Sequence, residues 1–186
     1  HSLNDAVVII DTDDYVFVHA NDNSVKFPEE LINYIIDARD GHKKVFFASQ
    51  TGIANGYPYC YPQFAMNKDF EEMKKIVTDK TKKTIQIAID NANLVKSDHF
   101  ISYAAYTISM SLLEQYGEKI LPILYLPSPS NLKKLSLDWG KVSLLDYVPG
   151  DTFDFTNNSV SKPFWLEQNN FEDIASELQK LRLNSS

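Results

Sequence analysis

The sequence has little cysteine, histidine and positive charge, and each shortage excludes a class of protein. Cys60 is the single cysteine of the 186-residue chain, so an internal disulfide framework and a multi-cysteine metal site are excluded. Only four histidines occur, and no two of them stand at metal-ligand spacing. A formal net charge of −7 argues against a nucleic-acid-binding face, because phosphate groups need clustered lysine and arginine.

Long apolar runs are also missing. The longest, Ile120–Leu126, is far too short to span a bilayer, and no charged-then-apolar leader opens the sequence. We therefore expect a cytoplasmic protein. The only basic concentration, Lys74–Lys83, contains Asp79 and predicts a solvated helix face. A length of 186 residues with 44% hydrophobic residues predicts one domain with one core.

Short apolar runs rich in β-branched and aromatic residues predict strands, and their continuity favours a parallel sheet that is buried on both faces. The five predicted strands are Ala6–Ile10, Val45–Ala48, Ile85–Ile89, Ile120–Leu126 and Val142–Leu145.

Helical patterns stand between these runs. Apolar pairs four residues apart predict a helix over Pro28–Ile36, and composition predicts helix over Asp69–Lys75. A third helix has Ser97 and Asp98 as its cap, an apolar stripe from Phe100 to Leu112, and Gly117 as its end. A last helix covers Phe171–Leu181, after a long polar loop over 149–163. The alternation predicts an α/β, flavodoxin-like, doubly wound, five-stranded parallel sheet with helices on both faces.

Several local motifs follow the order of a known signalling family. An opening strand, Asp5–Ile10, has the pattern of Asp-Ala followed by apolar residues. A loop of serine and acidic type stands at Asp90–Asp98, and Ile120–Tyr125 supplies an apolar core interrupted by proline. Leu145–Tyr147 and the pair Phe164-Trp165 come near the end. Together they resemble a Toll/interleukin-1 receptor (TIR) domain, from about residue 5 to residue 183.

The resemblance implies a single TIR domain over 1–186. It implies a non-catalytic module that docks onto other TIR domains in Toll-type innate immune signalling, as a receptor or an adaptor domain, with weak self-association. It implies no cofactor, no metal, no nucleic acid and no membrane insertion of this domain.

The loop after the second predicted strand is the candidate docking site. Toll-type domains carry an Arg-Asp-x-x-Pro-Gly pattern there, whereas this chain keeps only the final glycine, Gly56. Its glycines make the backbone adaptable, and its apolar and aromatic side chains are suited to anchor an interface. An alternative is that the tyrosines pack back on the domain. The predicted partner-binding residues are Gln50, Thr51, Gly52, Ile53, Ala54, Asn55, Gly56, Tyr57 and Tyr59.

Two catalytic functions are alternatives to docking. Some TIR domains cleave NAD with a glutamate one turn into the helix after the third strand, but Tyr103 stands at that place here. A magnesium-dependent phosphohydrolase of the haloacid-dehalogenase type would use Asp11 and Asp13, with Ser49 for phosphate and Asp90 for the metal. The competing interpretation of the aspartates is that they are strand-end residues that make turn hydrogen bonds.

Overall fold

A computed structural model describes residues 6–21, 23, 25–51, 68–103, 110–124, 126, 128–145, 151–154, 157 and 159–161. The chain divides into two compact units, His1–Leu145 and Asp146–Ser186. No helix in the described ranges combines the length and the apolar character needed to cross a membrane.

The first unit is an α/β domain built on a five-stranded sheet. Its strands are β1 (Val8–Asp11), β2 (Tyr15–His19), β3 (Lys44–Gln50), β4 (His99–Tyr103) and β5 (Ser143–Leu144). Its α-helices are α1 (Glu29–Arg39), α2 (Phe70–Leu94), α3 (Met110–Tyr116), α4 (Leu121–Leu124) and α5 (Pro129–Leu132), with a 3₁₀ turn over Gly117–Ile120.

The sheet is mostly parallel, and its strands follow the order of the chain, β1-β2-β3-β4-β5. β2, β3, β4 and β5 are parallel neighbours, whereas β1 is antiparallel to β2. The expectation of five parallel strands is therefore wrong for β1. A reversal of strand order, which defines the flavodoxin-like arrangement, does not occur among the described strands.

A tight hairpin explains the antiparallel edge. The hydroxyl of Thr12 donates to the carbonyl of Tyr15 and accepts from its N–H, at 3.0 Å each, and this turn reverses the chain. Asp11, the last residue of β1, forms an ion pair with Lys43 at 2.7 Å. The interpretation of Asp11 as a strand-end residue beside a turn is confirmed, whereas the turn hydrogen bonds come from Thr12 and not from an aspartate.

The long helix α2 replaces a predicted strand. Asp69 caps it by accepting from the N–H of Glu72, and neither glycine nor proline interrupts the 25 residues that follow. Ile85 and Ile89 are buried one helical turn apart, together with Ala88 and Ala92. The prediction of a strand at Ile85–Ile89 is wrong, because the burial follows helical spacing and not alternation.

The segment after α2 is also the reverse of the prediction. Residues 99–103, expected to begin a helix, form β4, in which Phe100 and Ser102 are buried and alternate with partly exposed neighbours. Residues 120–124, expected to begin a strand, complete the 3₁₀ turn and form α4. Pro122 is the physical reason, because it cannot donate to the ladder of a central strand. The predicted helix at 28–36 and the strands near β1, β3 and β5 are confirmed.

One face of the sheet carries the main core. Val16 and Val18 of β2, Val45 and Phe47 of β3 and Phe100 of β4 share this face by alternation. Side chains of three helices complete the same buried cluster: Ile35 of α1, Ile85, Ala88, Ile89 and Ala92 of α2, and Leu132 of α5. The described helices that contribute to this cluster cover this face of the sheet. Right-handed crossovers between strands in sequential order place their connections on one side.

The second unit contains a small hairpin where a long loop was predicted. β6 (Thr152–Asp154) pairs antiparallel with β7 (Ser159–Ser161). In the connection, Asn157 donates its backbone N–H and its side-chain amide to the carboxylate of Asp154. The prediction of an unstructured loop over 149–163 is wrong for these residues. The predicted last helix at 171–181 lies outside the described residues.

Asn91 joins α2 to the segment that leads into α1. Its carbonyl oxygen accepts from the N–H of Phe27 at 2.9 Å, and its amide donates to the carbonyl of Val25 at 2.8 Å. The residue is 1% exposed, so water cannot replace these bonds. Two backbone groups therefore depend on this one side chain.

Replacing Asn91 by alanine is expected to lower the free energy of unfolding by about 3 kcal/mol, because two backbone groups lose their partner. Gln86→Ala, which removes exposed hydrogen bonds to the segment at Asp138, is the control and is expected to cost less than about 1 kcal/mol. Urea unfolding of the two variants measures the difference. Equal costs would contradict the role of Asn91.

Candidate functional site

The carboxyl ends of the parallel strands are the first place to look for a site in an open α/β sheet. β2 ends at His19, β3 at Gln50 and β4 at Tyr103. Register pairs Gln50 with Tyr103 and His19 with Ala48, so these strand ends meet at one edge of the sheet. We refer to Val8, His19, Asn21, Gln50 and Tyr103 as the strand-end surface; Val8 belongs to it because it pairs with His19.

Backbone hydrogen bonds continue past the last strand residues and hold the three ends together. The N–H of Gln50 donates to the carbonyl of Asn21 at 2.9 Å, and the N–H of Thr51 donates to the carbonyl of Tyr103 at 3.1 Å. Asn21 has a φ of 54°, a left-handed conformation that asparagine tolerates better than most residues. The exit path of the chain from β3 is therefore fixed at its first residue.

A buried hydroxyl pair lies directly beneath this exit. The side-chain oxygens of Thr51 and Ser102 are 2.6 Å apart, and the two residues are 1% and 2% exposed. Polar groups buried to this degree are normally hydrogen-bonded, because desolvation without a partner is costly. The pair links the end of β3 to the end of β4 through their side chains as well as their backbones.

The strand-end surface combines two aromatic rings with two amide side chains and one apolar side chain. The rings of His19 and Tyr103 stack with centroids 4.8 Å apart and an interplanar angle of 27°. The hydroxyl of Tyr103 donates to the side-chain oxygen of Asn21 at 3.4 Å. His19 is exposed, Gln50 and Tyr103 are partly exposed, and Val8 is 50% exposed. The surface thus offers ring faces, an amide and an apolar side chain to whatever contacts it.

Two of the predicted docking residues, Gln50 and Thr51, lie at this site. Gln50 belongs to the strand-end surface, and Thr51 is the buried residue that anchors it. Because its side chain is buried, Thr51 does not contact a partner directly. It holds the start of the segment that follows β3 in place. The other predicted docking residues lie outside the described residues: Gly52, Ile53, Ala54, Asn55, Gly56, Tyr57 and Tyr59.

The structure does not bring the phosphohydrolase residues together. Asp11 ends an antiparallel strand and pairs with Val16 near the amino end of β2, at the opposite edge from Ser49. Ser49 lies four positions along β3 from Val45, which pairs with Val16, so the separation along the strands is about 13 Å. Asp90 lies within α2 and accepts from Gln86. The predicted phosphatase constellation is therefore wrong.

The placement of the catalytic and TIR-type motifs also changes. Tyr103, aligned with the glutamate of NAD-cleaving domains, lies in β4 and not in a helix. The match at 90–98 begins in the last turns of α2, and the match at 120–125 contains α4. The opening match ends in β1, as expected, and the pair Phe164-Trp165 lies outside the described residues. Two matches that were assigned to a strand or its end therefore fall on helical segments.

Sequence reasoning missed five residues of the site: Val8, His19, Asn21, Ser102 and Tyr103. β2 was not predicted, although Tyr15–His19 alternates between partly and fully buried positions. The turn residues Thr12, Asp13 and Asp14 just before it were the available signal for a hairpin. Ser102 and Tyr103 were hidden because the apolar residues from 100 onward also fit helical spacing.

The hydroxyl pair makes a measurable prediction. Thr51→Val keeps the volume of the side chain and removes the hydrogen bond, so the free energy of unfolding is expected to fall by about 1–2 kcal/mol. Ser102→Ala removes the other partner. A double-mutant cycle measured by urea unfolding is expected to give a coupling energy of about 1 kcal/mol. Additive effects of the two substitutions would show that the contact contributes nothing specific.

Comparisons with models of known protein families, with curated proteins and with solved structures give no match to this chain. Its function is therefore inferred from the geometry of the described residues and from the resemblance stated above.

Proposed function

We propose that this chain is a non-catalytic docking module that binds a partner protein through the strand-end surface and the segment that leaves β3 at Gln50. The carrying observation is the buried bond between Thr51 and Ser102 at 2.6 Å. Together with the backbone bonds to Asn21 and Tyr103, it fixes the start of the docking segment before a partner arrives. A fixed start lowers the conformational entropy that binding must overcome.

The chemistry of the strand-end surface favours a protein partner. The centres of protein interfaces are depleted in charged residues and enriched in aromatic ones. The members of this surface are a valine, a histidine, an asparagine, a glutamine and a tyrosine. His19 and Tyr103 are already stacked, so little side-chain freedom is lost when a partner covers them.

The narrower proposal is that the partner is another TIR domain, in a Toll-type receptor or adaptor with a flavodoxin-like fold. It rests on the sequence resemblance. The opening strand supports it. Two other matches, at 90–98 and 120–125, fall on helical segments and do not support it. The sequential strand order does not support it either.

A docking module of this kind works by clustering. When the strand-end surface of one copy contacts a different surface of the next, the contact is heterologous, and repetition gives an open assembly and not a closed dimer. Weak individual contacts then become effective by avidity.

The test compares two exposed histidines at opposite edges of the sheet. His19 belongs to the strand-end surface, whereas His42 lies two residues before the first residue of β3 and has a side chain 63% exposed. His19→Ala is expected to weaken association at least about fivefold, as for a residue whose truncation costs more than 1 kcal/mol. Light scattering after size exclusion, on the protein alone and mixed with a Toll-receptor TIR domain, measures the association.

His42→Ala is the matched control and is expected to leave association unchanged. Ile53→Asp tests the predicted docking segment in the same assay and is expected to abolish association. A protein that stays monomeric at every concentration and ignores the TIR domain would overturn the proposal. An equal loss of association in His19→Ala and His42→Ala would show that docking does not depend on the carboxyl edge of the sheet.

A further inference from the structure

A groove lies at the opposite, amino-terminal edge of the parallel strands. It is an open groove with a volume of about 800 Å³, and it lies between the starts of β3, β4 and β5 and the end of α1. Four basic residues line it: Arg39, Lys44, Lys96 and Lys141. Each comes from a different segment of the chain, so the sequence showed no basic concentration here.

The charge of this groove is opposite to that of the protein. Among the described residues that line it, Asp98 is the single acidic one, so these residues together carry a formal charge of +3 with His99 neutral. Since the whole chain carries −7, the rest of it carries −10. A local excess of positive charge on an acidic protein concentrates anions at that place.

The carboxylate of Asp98 is already bonded to other groups of the domain. Asp98 accepts from the N–H of Val45 at 2.8 Å, and its other oxygen lies 3.4 Å from the guanidinium of Arg39. Its backbone N–H donates to the carbonyl of Val45 and its carbonyl accepts from the N–H of Ser143, which joins the starts of the three strands. Asp98 thus organises the edge and offsets Arg39, but it forms no ion pair with the lysines.

Within the described ranges, Lys44, Lys96 and Lys141 form no ion pair. Arg39 also donates to the carbonyl of Lys96 at 2.8 Å, which fixes the backbone that carries one of these ammonium groups. Lys96 has a φ of 54°, a left-handed conformation that ends the turn after α2. The backbone that carries the positive groups is therefore fixed before any ligand binds.

We propose that this groove binds a small polyanion that carries two or more phosphate groups. The ammonium groups of the three lysines provide the charge-assisted donors that phosphate oxygens accept, while Arg39 holds Asp98 and the backbone of Lys96 in place. A volume of about 800 Å³ lies in the range of small-molecule sites. The site is at the other end of the strands from the docking surface and does not depend on the proposed function.

The charge outside the groove selects for a short ligand. A nucleic acid or an extended acidic peptide would continue beyond the groove onto a protein that carries −10 elsewhere. Unfavourable contacts with that charge act over about one Debye length, roughly 8–10 Å. A compact polyphosphate can place all of its charge inside the groove.

His99 is a natural reporter of occupancy. Burial lowers the pKa of its imidazole, Asp98 raises it and the ammonium of Lys44 lowers it further. A bound anion offsets the positive charge of Lys44 and itself stabilises the imidazolium, so occupancy is expected to raise the pKa of His99. His19, at the far edge of the sheet, is the internal control, and its imidazole NMR signals are expected to stay in place when the ligand is added at constant pH.

Isothermal titration calorimetry with inorganic pyrophosphate and tripolyphosphate at low ionic strength tests the proposal on the full chain. One site per chain is expected, with tighter binding of tripolyphosphate and weaker binding as salt is added. The double variant Lys44→Gln with Lys141→Gln is expected to weaken binding at least about tenfold, because two charge-assisted contacts are lost. NMR titration with and without tripolyphosphate is expected to show a raised pKa for His99 in the bound protein.

Lys82→Gln with Lys83→Gln is the matched control, because it removes the same charge from α2 at about 15 Å or more along the helix from Asn93, a lining residue. This variant is expected to keep the binding. Equal weakening in both double variants would show diffuse attraction and overturn the proposal, as would no binding at low salt. Tighter binding of a hexaglutamate peptide than of tripolyphosphate would overturn it in favour of an acidic protein segment.

Discussion

The parallel pairing of β3 with β4, in the register that places Phe46 opposite His99 and Gln50 opposite Tyr103, determines what meets at each edge of the sheet. Because the strands run in the same direction, their beginnings and their ends collect at opposite edges. At the carboxyl edge the buried hydroxyls of Thr51 and Ser102 join β3 to β4. At the amino edge the carboxylate of Asp98 accepts from the N–H of Val45 and joins the same two strands. A register slip of one residue would turn every side chain of β4 to the wrong face and dismantle both sites.

The two edges differ in chemistry for the same structural reason. Backbone groups beyond a strand end need partners, and each edge satisfies them differently. At the carboxyl edge, backbone hydrogen bonds and a hydroxyl pair join the strand ends to one another. The side chains that remain at the surface there are aromatic, amide and apolar. At the amino edge a single carboxylate bonds to Val45 and pairs with Arg39, while lysines from other segments are left around the groove. An acidic chain therefore carries a positive site that its net charge conceals.

The class of the fold could be predicted from sequence because β1, α1, β3 and β5 show clear local patterns. The segments at 85–89 and 120–126 could not be assigned by apolar content alone, since a short apolar run fits a buried helix as well as a strand. The segment at 85–89 is helical because it belongs to α2, which runs without interruption from its cap at Asp69. The segment at 120–126 does not form a strand because it contains Pro122. At the candidate site, Gln50 and Thr51 were predicted, whereas Ser102 and Tyr103 depend on the tertiary pairing of β4.

The central claim is that the carboxyl edge is the docking surface. Backbone amide chemical shifts, followed over a concentration series and then with added Toll-receptor TIR domain, test it residue by residue. The account predicts concentration-dependent shifts at His19, Asn21, Gln50 and Tyr103, with Lys96 and Ser143 at the opposite edge unchanged. Shifts confined to the amino edge, or none at any concentration with either partner, would contradict it.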